Sequence, residues 1–152
     1  MTNTEQTILD TVTHSKIVGS YILQIFGELV SRIIMHDESK LSKEELPYFS
    51  SVSQRLKELT YGSDEYKTAL AELKPALDHH YVNNRHHPEH FDNGLSGMTL
   101  IDLIEMLADW KAATLRHEDG NLEKSFIINE KRFKISPQLM HILRNTAKEL
   151  DW

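Results

Sequence analysis

The residues of this chain that could do chemistry fall into four groups. His36-Asp37 follow an apolar stretch and precede Glu38-Ser39-Lys40. The run His79-His80-Tyr81-Val82-Asn83-Asn84-Arg85-His86-His87-Pro88-Glu89-His90 is dense in imidazole. Asp102, Glu105 and Asp109 form a third group, with 105 and 109 one helical turn apart. His14 stands alone upstream, on a stripe with Val18, Tyr21 and Ile25. Imidazole with carboxylate is a donor set for zinc, manganese, iron, cobalt or nickel. The chain has 9 His and no Cys, so thiolate nucleophiles, zinc knuckles and disulfides are excluded. An oxygen-and-imidazole site suits hydrolysis better than a structural staple.

Each group also has a plainer reading. His36 can be a surface imidazole beside a capping Asp37, and the run from His79 can be a solvated polar turn. Asp102 reads as a first-turn acid. Asp109, between Ala108 and Trp110 in an apolar run, faces either solvent or a buried partner such as a metal. His80 and Asn84 are one helical turn apart. His80 and His87 are two turns apart if the helix continues, and closer if the chain bends before Pro88.

These residues need elements to hold them. Apolar positions from Ile8 to Ile34 recur at helical spacing and read as one helix over about residues 5–35, with Gly27 as a candidate break. The break matters. In an unbroken helix His14 and His36 lie about 33 Å apart, and His14 is then outside any site built on His36. Ser42 with Glu45 reads as a capping box opening a helix from Lys43 to Leu59. Tyr61-Gly62-Ser63 reads as a turn. Ser63 or Asp64 opens the next helix, which Pro75 should kink or split. Residues 85–98 read as a loop. Thr99 and Asp102 open a helix ending near His117, and Asp119-Gly120-Asn121 is a turn. The stretch 125–134 reads as a short hairpin or irregular strand pair, with Phe133 and Ile135 alternating against Lys131, Arg132 and Lys134. Ser136-Pro137 opens a last helix to about Leu150. The expectation is an all-α single domain, residues 1–152, of about six helices.

Composition narrows the partners. Formal net charge is −6, from 17 Lys+Arg against 23 Asp+Glu, which argues against a broad nucleic-acid-binding face. The N-terminus lacks a basic region of the signal-peptide kind. The stretch Ile17–Met35, interrupted by Ser20, Gln24, Gly27, Glu28, Ser31 and Arg32, reads as too polar to cross a bilayer. A cytoplasmic protein with no membrane contact is expected, in the host cytoplasm if the source is viral. A homodimer through an apolar helix face is a mild expectation.

His14, His36-Asp37 and Asp109, in that order on helices, resemble the pattern of the HD-domain metal-dependent phosphohydrolase superfamily. HDESK resembles the His-Asp-x-Gly-Lys form seen in part of that superfamily, with Ser39 in place of Gly. More closely, HDESKLS, HHYVNNRHHPEHF and MTLIDLIEMLADWKAA resemble a small uncharacterised family of HD-like proteins from phages and bacteria, over about His14 to Leu150. The resemblance implies an HD-like all-helical fold. It implies metal ligation by His14, His36, Asp37 and Asp109, with further His residues between dyad and last Asp in two-metal members. His80 and His87 are preferred for those over His79 and His86, on the phase of His80 with Asn84 and the position of His87 before Pro88. Lys40 becomes the substrate-facing cation.

The implied reaction is hydrolysis of a phosphomonoester or phosphodiester, a nucleotide being the commonest case. It would use one or two divalent ions (manganese, cobalt, nickel, iron, zinc or magnesium). A metal acidifies water and polarises a phosphoryl oxygen. Asp37 or Glu105 can take the proton. Lys40, Arg85 or Arg116 can clamp phosphate oxygens. Two alternatives stand beside this: an inactive metal-containing protein that sequesters a nucleotide or host factor, and a helical domain whose histidines are incidental.

Overall fold

The computed structural model describes residues 1–59, 64–115 and 120–152, and among them there is no β-strand. The chain is all-α and divides into two compact units, Met1–His36 and Asp37–Trp152.

The first unit is a single helix, α1 (Asn3–Met35). A capping box starts it: Thr2 Oγ1 accepts from the Glu5 amide at 3.2 Å, and the Glu5 carboxylate accepts from the Thr2 amide at 2.7 Å. The helix runs through Gly27 without the turn that position offered. His14 and His36 therefore sit about 33 Å apart along one axis, and no single ion can touch both. None of the α1 residues is buried. The expectation that this stretch is too polar for a bilayer is also corrected, because by length and composition α1 is apolar enough to cross one.

The second unit opens on Asp37, whose φ of 59° and ψ of 12° are left-handed. Asp is among the few L-residues that tolerate this region. A 3-10 turn, Glu38–Leu41, follows, and then α2 (Leu46–Glu58). α3 (Asp64–Glu72) and α4 (Lys74–Asn83) are split at Pro75, which sits in the first turn of α4 where its missing N–H costs nothing. Val52, Ala69 and Leu73 pack with Phe49, Leu59 and Leu77 into a small core joining these helices. Two more 3-10 turns, Pro88–His90 and Gly94–Gly97, carry the chain to α5 (Leu100–Thr114). The expected turn at Tyr61-Gly62-Ser63 and residues 116–119, Arg116 and His117 among them, lie outside the described residues.

The larger core belongs to α5, α6 (Leu122–Phe133) and α7 (Pro137–Glu149). Met106, Leu107, Trp110, Phe126, Met140 and Leu143 are among its buried side chains. Helix starts are capped as their residue types dictate: Thr99 Oγ1 accepts from the Asp102 amide, Asn121 Oδ1 from the Glu123 amide, and Ser136 Oγ from the Leu139 amide. The hairpin expected over 125–134 is helix α6 instead. Its apparent alternation has another cause. Lys134 takes a left-handed conformation (φ 52°, ψ 46°) after the last helical residue. The amides of Lys134 and Ile135 both return to the Glu130 carbonyl, and the reversal carries Ile135 into the core beyond Phe133.

Candidate metal centre

Within the second unit, three histidines meet Asp37. α4 supplies His80 near its last turn, and the chain then bends through Asn84 to bring His86 and His87 back beside it. The bend follows from Pro88, which biases His87 to the extended conformation it adopts, φ −98° and ψ 126°. Asp37, His80, His86 and His87 each offer one ligand atom, and these four atoms all lie within 4.8 Å of one another. His80 Nε2 is 3.2 Å and His86 Nε2 3.6 Å from Asp37 Oδ1. His80 Nε2 is 3.0 Å from His87 Nε2. Donors bound to one ion at 2.0–2.2 Å are themselves separated by roughly 3–3.6 Å, so these spacings match the edges of a coordination polyhedron.

Carboxylates stand behind two of the imidazoles. Glu45, at 0 % exposure, sets Oε2 2.9 Å from His80 Nδ1 and Oε1 2.7 Å from His79 Nδ1. Glu105 Oε1 lies 3.1 Å from His86 Nδ1. Asn84 joins the first group, donating to the His80 carbonyl at 2.8 Å and to Ser39 Oγ at 2.7 Å. Burial alone would push the Glu45 carboxyl up. The hydrogen bonds from His79, Ser39 and His80 outweigh it and hold the carboxyl below its ordinary value, ionised. His87 is pushed down to about 3, by burial first and then by the neighbouring His86 and His80, with Asp109 and Asp37 opposing. At neutral pH it is an uncharged imidazole, the form that binds metals.

The expected site residues separate as follows. Asp37, His80 and His87 converge, and His86 joins them, so the choice between 86 and 87 dissolves into both. His79 turns to Glu45 instead. Asp109 brings a carboxylate oxygen within 4.8 Å of one on Asp37. Lys40 Nζ sits 2.5 Å from Asp37 Oδ2 and over the Phe49 ring. Glu105, expected as a proton acceptor, faces the back of His86. Arg85, expected as a phosphate clamp, is committed elsewhere: its fork meets both oxygens of Asp102 at 3.1 and 3.0 Å, and its guanidinium carbon lies over the Phe91 ring, 4.9 Å from the centroid. His36 closes α1 in the first unit as its C-cap. Arg116 lies outside the described residues.

Two contributors do not read as site residues in the sequence. Glu45 was hidden by its own spacing, because Ser42-x-x-Glu45 is what a capping box looks like. In the structure Glu45 makes no cap, and its side chain turns inward to the histidines. Asn84 had one usable signal, its i, i+4 phase with His80.

A model described as a family of unknown function, DUF5662, matches residues 3–149. The chain belongs to the DUF5662 family. No curated protein and no solved structure matches it. The matched span takes in every residue of the cluster. The present member combines an all-α fold with a His/His/His/Asp cluster able to hold a metal ion.

Proposed function

We propose that this DUF5662 protein is a metal-dependent phosphohydrolase of HD-like type, acting on a phosphomonoester or phosphodiester and most simply on a nucleotide. The observation that carries the reading is the convergence of Asp37, His80, His86 and His87 on one point, their ligand atoms within 4.8 Å of one another. The donor set fits a divalent ion by chemistry as well as by spacing: neutral imidazoles plus one carboxylate suit manganese, iron, cobalt, nickel or zinc. Such an ion would supply Lewis acidity and acidify a water at neutral pH.

The chain's own residues have separable parts in this reaction. Asp37 divides its oxygens, Oδ1 toward the imidazoles and Oδ2 toward Lys40. Lys40 is the cation at the edge of the cluster, suited to a nonbridging phosphate oxygen. Asp109, whose carboxylate lies close to that of Asp37, is suited to accept a proton, while Glu105 is turned to the back of His86. His36 enters the reading as the other half of the dyad, on sequence resemblance.

The test is metal analysis of the purified protein, followed by a screen of nucleoside phosphates and simple phosphodiesters with manganese, cobalt or nickel. Metal-dependent phosphate release, lost in Asp37→Ala, is the expected result. Metal bound tightly with no turnover of any phosphoester replaces the enzyme with a sequestering protein. Failure to bind any of these ions overturns both readings.

A further inference from the structure

We infer that Glu45 and Glu105 are positioning residues that aim the metal-binding histidines by fixing their tautomers. The inference rests on the proposed metal centre and adds to it a role for two carboxylates that touch no substrate. Each neutral imidazole carries one proton, and whichever nitrogen holds it cannot bind a metal. Behind His80 stands Glu45 Oε2, 2.9 Å from Nδ1; behind His86 stands Glu105 Oε1, 3.1 Å from Nδ1. A carboxylate oxygen accepts, and on each ring this contact is shorter than the one from Nε2 to Asp37 Oδ1, so the proton is assigned to Nδ1 and donated backward. Asn84 Nδ2, 3.0 Å from His80 Nδ1, is already given to the His80 carbonyl and Ser39. That leaves the lone pair of each ring on Nε2, the atom that lies 3.2 Å (His80) and 3.6 Å (His86) from Asp37 Oδ1 and, in His80, 3.0 Å from His87 Nε2. Two separate elements, the segment before α2 and helix α5, thus deliver the same arrangement to two ligands from different directions.

Glu45 is asked to do more than Glu105. Its two oxygens serve adjacent histidines, His79 at 2.7 Å and His80 at 2.9 Å. His79 is 36 % exposed and holds no place in the cluster. Its N–H occupies Oε1 and leaves Oε2 for His80, which fixes the carboxylate's orientation as well as the imidazole's. A Gln at position 45 has one oxygen and one NH2, so it can accept from one of the two histidines only. The other must reverse its tautomer or lose its partner. A Gln at position 105 still accepts from His86, more weakly, because the bond is no longer charge-assisted.

The test uses the full chain, first stripped of metal. Nitrogen-15 spectra of the imidazoles report the tautomers directly, and calorimetric titration with Co2+ or Zn2+ reports the affinity. Wild type should show His79, His80 and His86 protonated on Nδ1. Glu45→Gln should reverse one of the first two and weaken the ion about 10–100-fold. Glu105→Gln should leave the His86 tautomer in place and cost about tenfold. Should Glu45→Gln fail to fold, Glu105→Gln and the wild-type tautomers decide. His80 or His86 protonated on Nε2 in wild type overturns the inference, as do Gln variants that bind the ion as tightly as wild type. A wild type that binds neither ion overturns the metal reading alone. The tautomers, and their reversal in Glu45→Gln, then carry or sink the positioning role by themselves.

Discussion

Asp102 and Asp37 are both carboxylates of the second unit drawn largely out of water, and their neighbours are of opposite kinds. Asp102, at 0 % exposure, is surrounded by donors: the Arg85 fork, the Thr99 amide at 2.8 Å and the Thr99 hydroxyl at 2.8 Å. Burial pushes its carboxyl up, and the Arg85 and Thr99 hydrogen bonds more than reverse that, leaving it lowered and ionised. Asp37 meets imidazole nitrogens on one oxygen and Lys40 on the other. A carboxylate whose partners are all donors holds structure together. A carboxylate with one oxygen set among imidazole nitrogens is half of a cation site. Arg85 looked like a phosphate ligand from its place in the histidine run, and only the surroundings of Asp102 reveal it as a clamp.

Exchanging charge for amide at the two positions should separate them. Asp37→Asn should weaken Co2+ or Zn2+ binding by more than the about 10–100-fold that losing an outer hydrogen-bond partner costs. Its metal-free stability should change by less than about 1 kcal/mol, since the Lys40 pair is partly exposed. Asp102→Asn should do the reverse. It gives up charge-assisted bonds and a helix cap, so urea unfolding should show a loss of about 2–4 kcal/mol with metal affinity unchanged. Equal stability losses in the two variants would erase the distinction.

The same contrast has a pH signature. His87 stays neutral in the folded protein down to about 3, whereas an unfolded imidazole takes its proton near the ordinary value of 6.5. Between those values the unfolded state binds the extra proton, so stability rises with pH and falls as the solution is acidified. Above 6.5 both states are neutral and the dependence disappears. The slope from this one group approaches about 1.4 kcal/mol per pH unit within the window. Glu45 and Asp102, with lowered carboxyls, add stability that is lost at lower pH in the same direction. Denaturation of metal-free protein at pH 4, 5, 6 and 7 measures the sum, and His87→Gln should flatten the part between 5 and 6.5, where the carboxylates contribute least. An unchanged slope in that variant would mean His87 is protonated in the folded state.

What could be read from the sequence was what local chemistry decides. Pro75 splitting two helices, Ser136-Pro137 and the Thr99–Asp102 box all act within one turn, and each appears where expected. The histidine run was legible because its density has few innocent explanations. Glu45 was not, since a capping-box glutamate and a buried histidine partner share the same spacing and differ only in what α4 brings alongside. The fate of Arg85 depended on a residue 17 positions away. For α6, alternation over five residues imitated a strand because one left-handed residue had rotated the chain.

That left-handed residue gives the finest version of the comparison. Lys134 and Asp37 both hold positive φ, 52° and 59°, without being glycine. A left-handed L-residue costs roughly 1–2 kcal/mol, partly offset in a glycine by the greater freedom of its unfolded chain. Lys134→Gly should therefore stabilise the protein by about 0.5 kcal/mol, seen as a raised urea midpoint, because the exposed Lys side chain contributes no bond to the cap. Asp37→Gly relieves a smaller strain, because Asp tolerates this region, and gives up the Lys40 pair, so the metal-free protein should stay within about 1 kcal/mol of wild type while ion binding is abolished. The two glycines would then show that position 134 tolerates its strain for lack of selection against it. At position 37 the strain is kept because the turn delivers a carboxylate to three imidazoles. A metal-free Asp37→Gly less stable than wild type by well over about 1 kcal/mol would place the value of that carboxylate in folding rather than in the site.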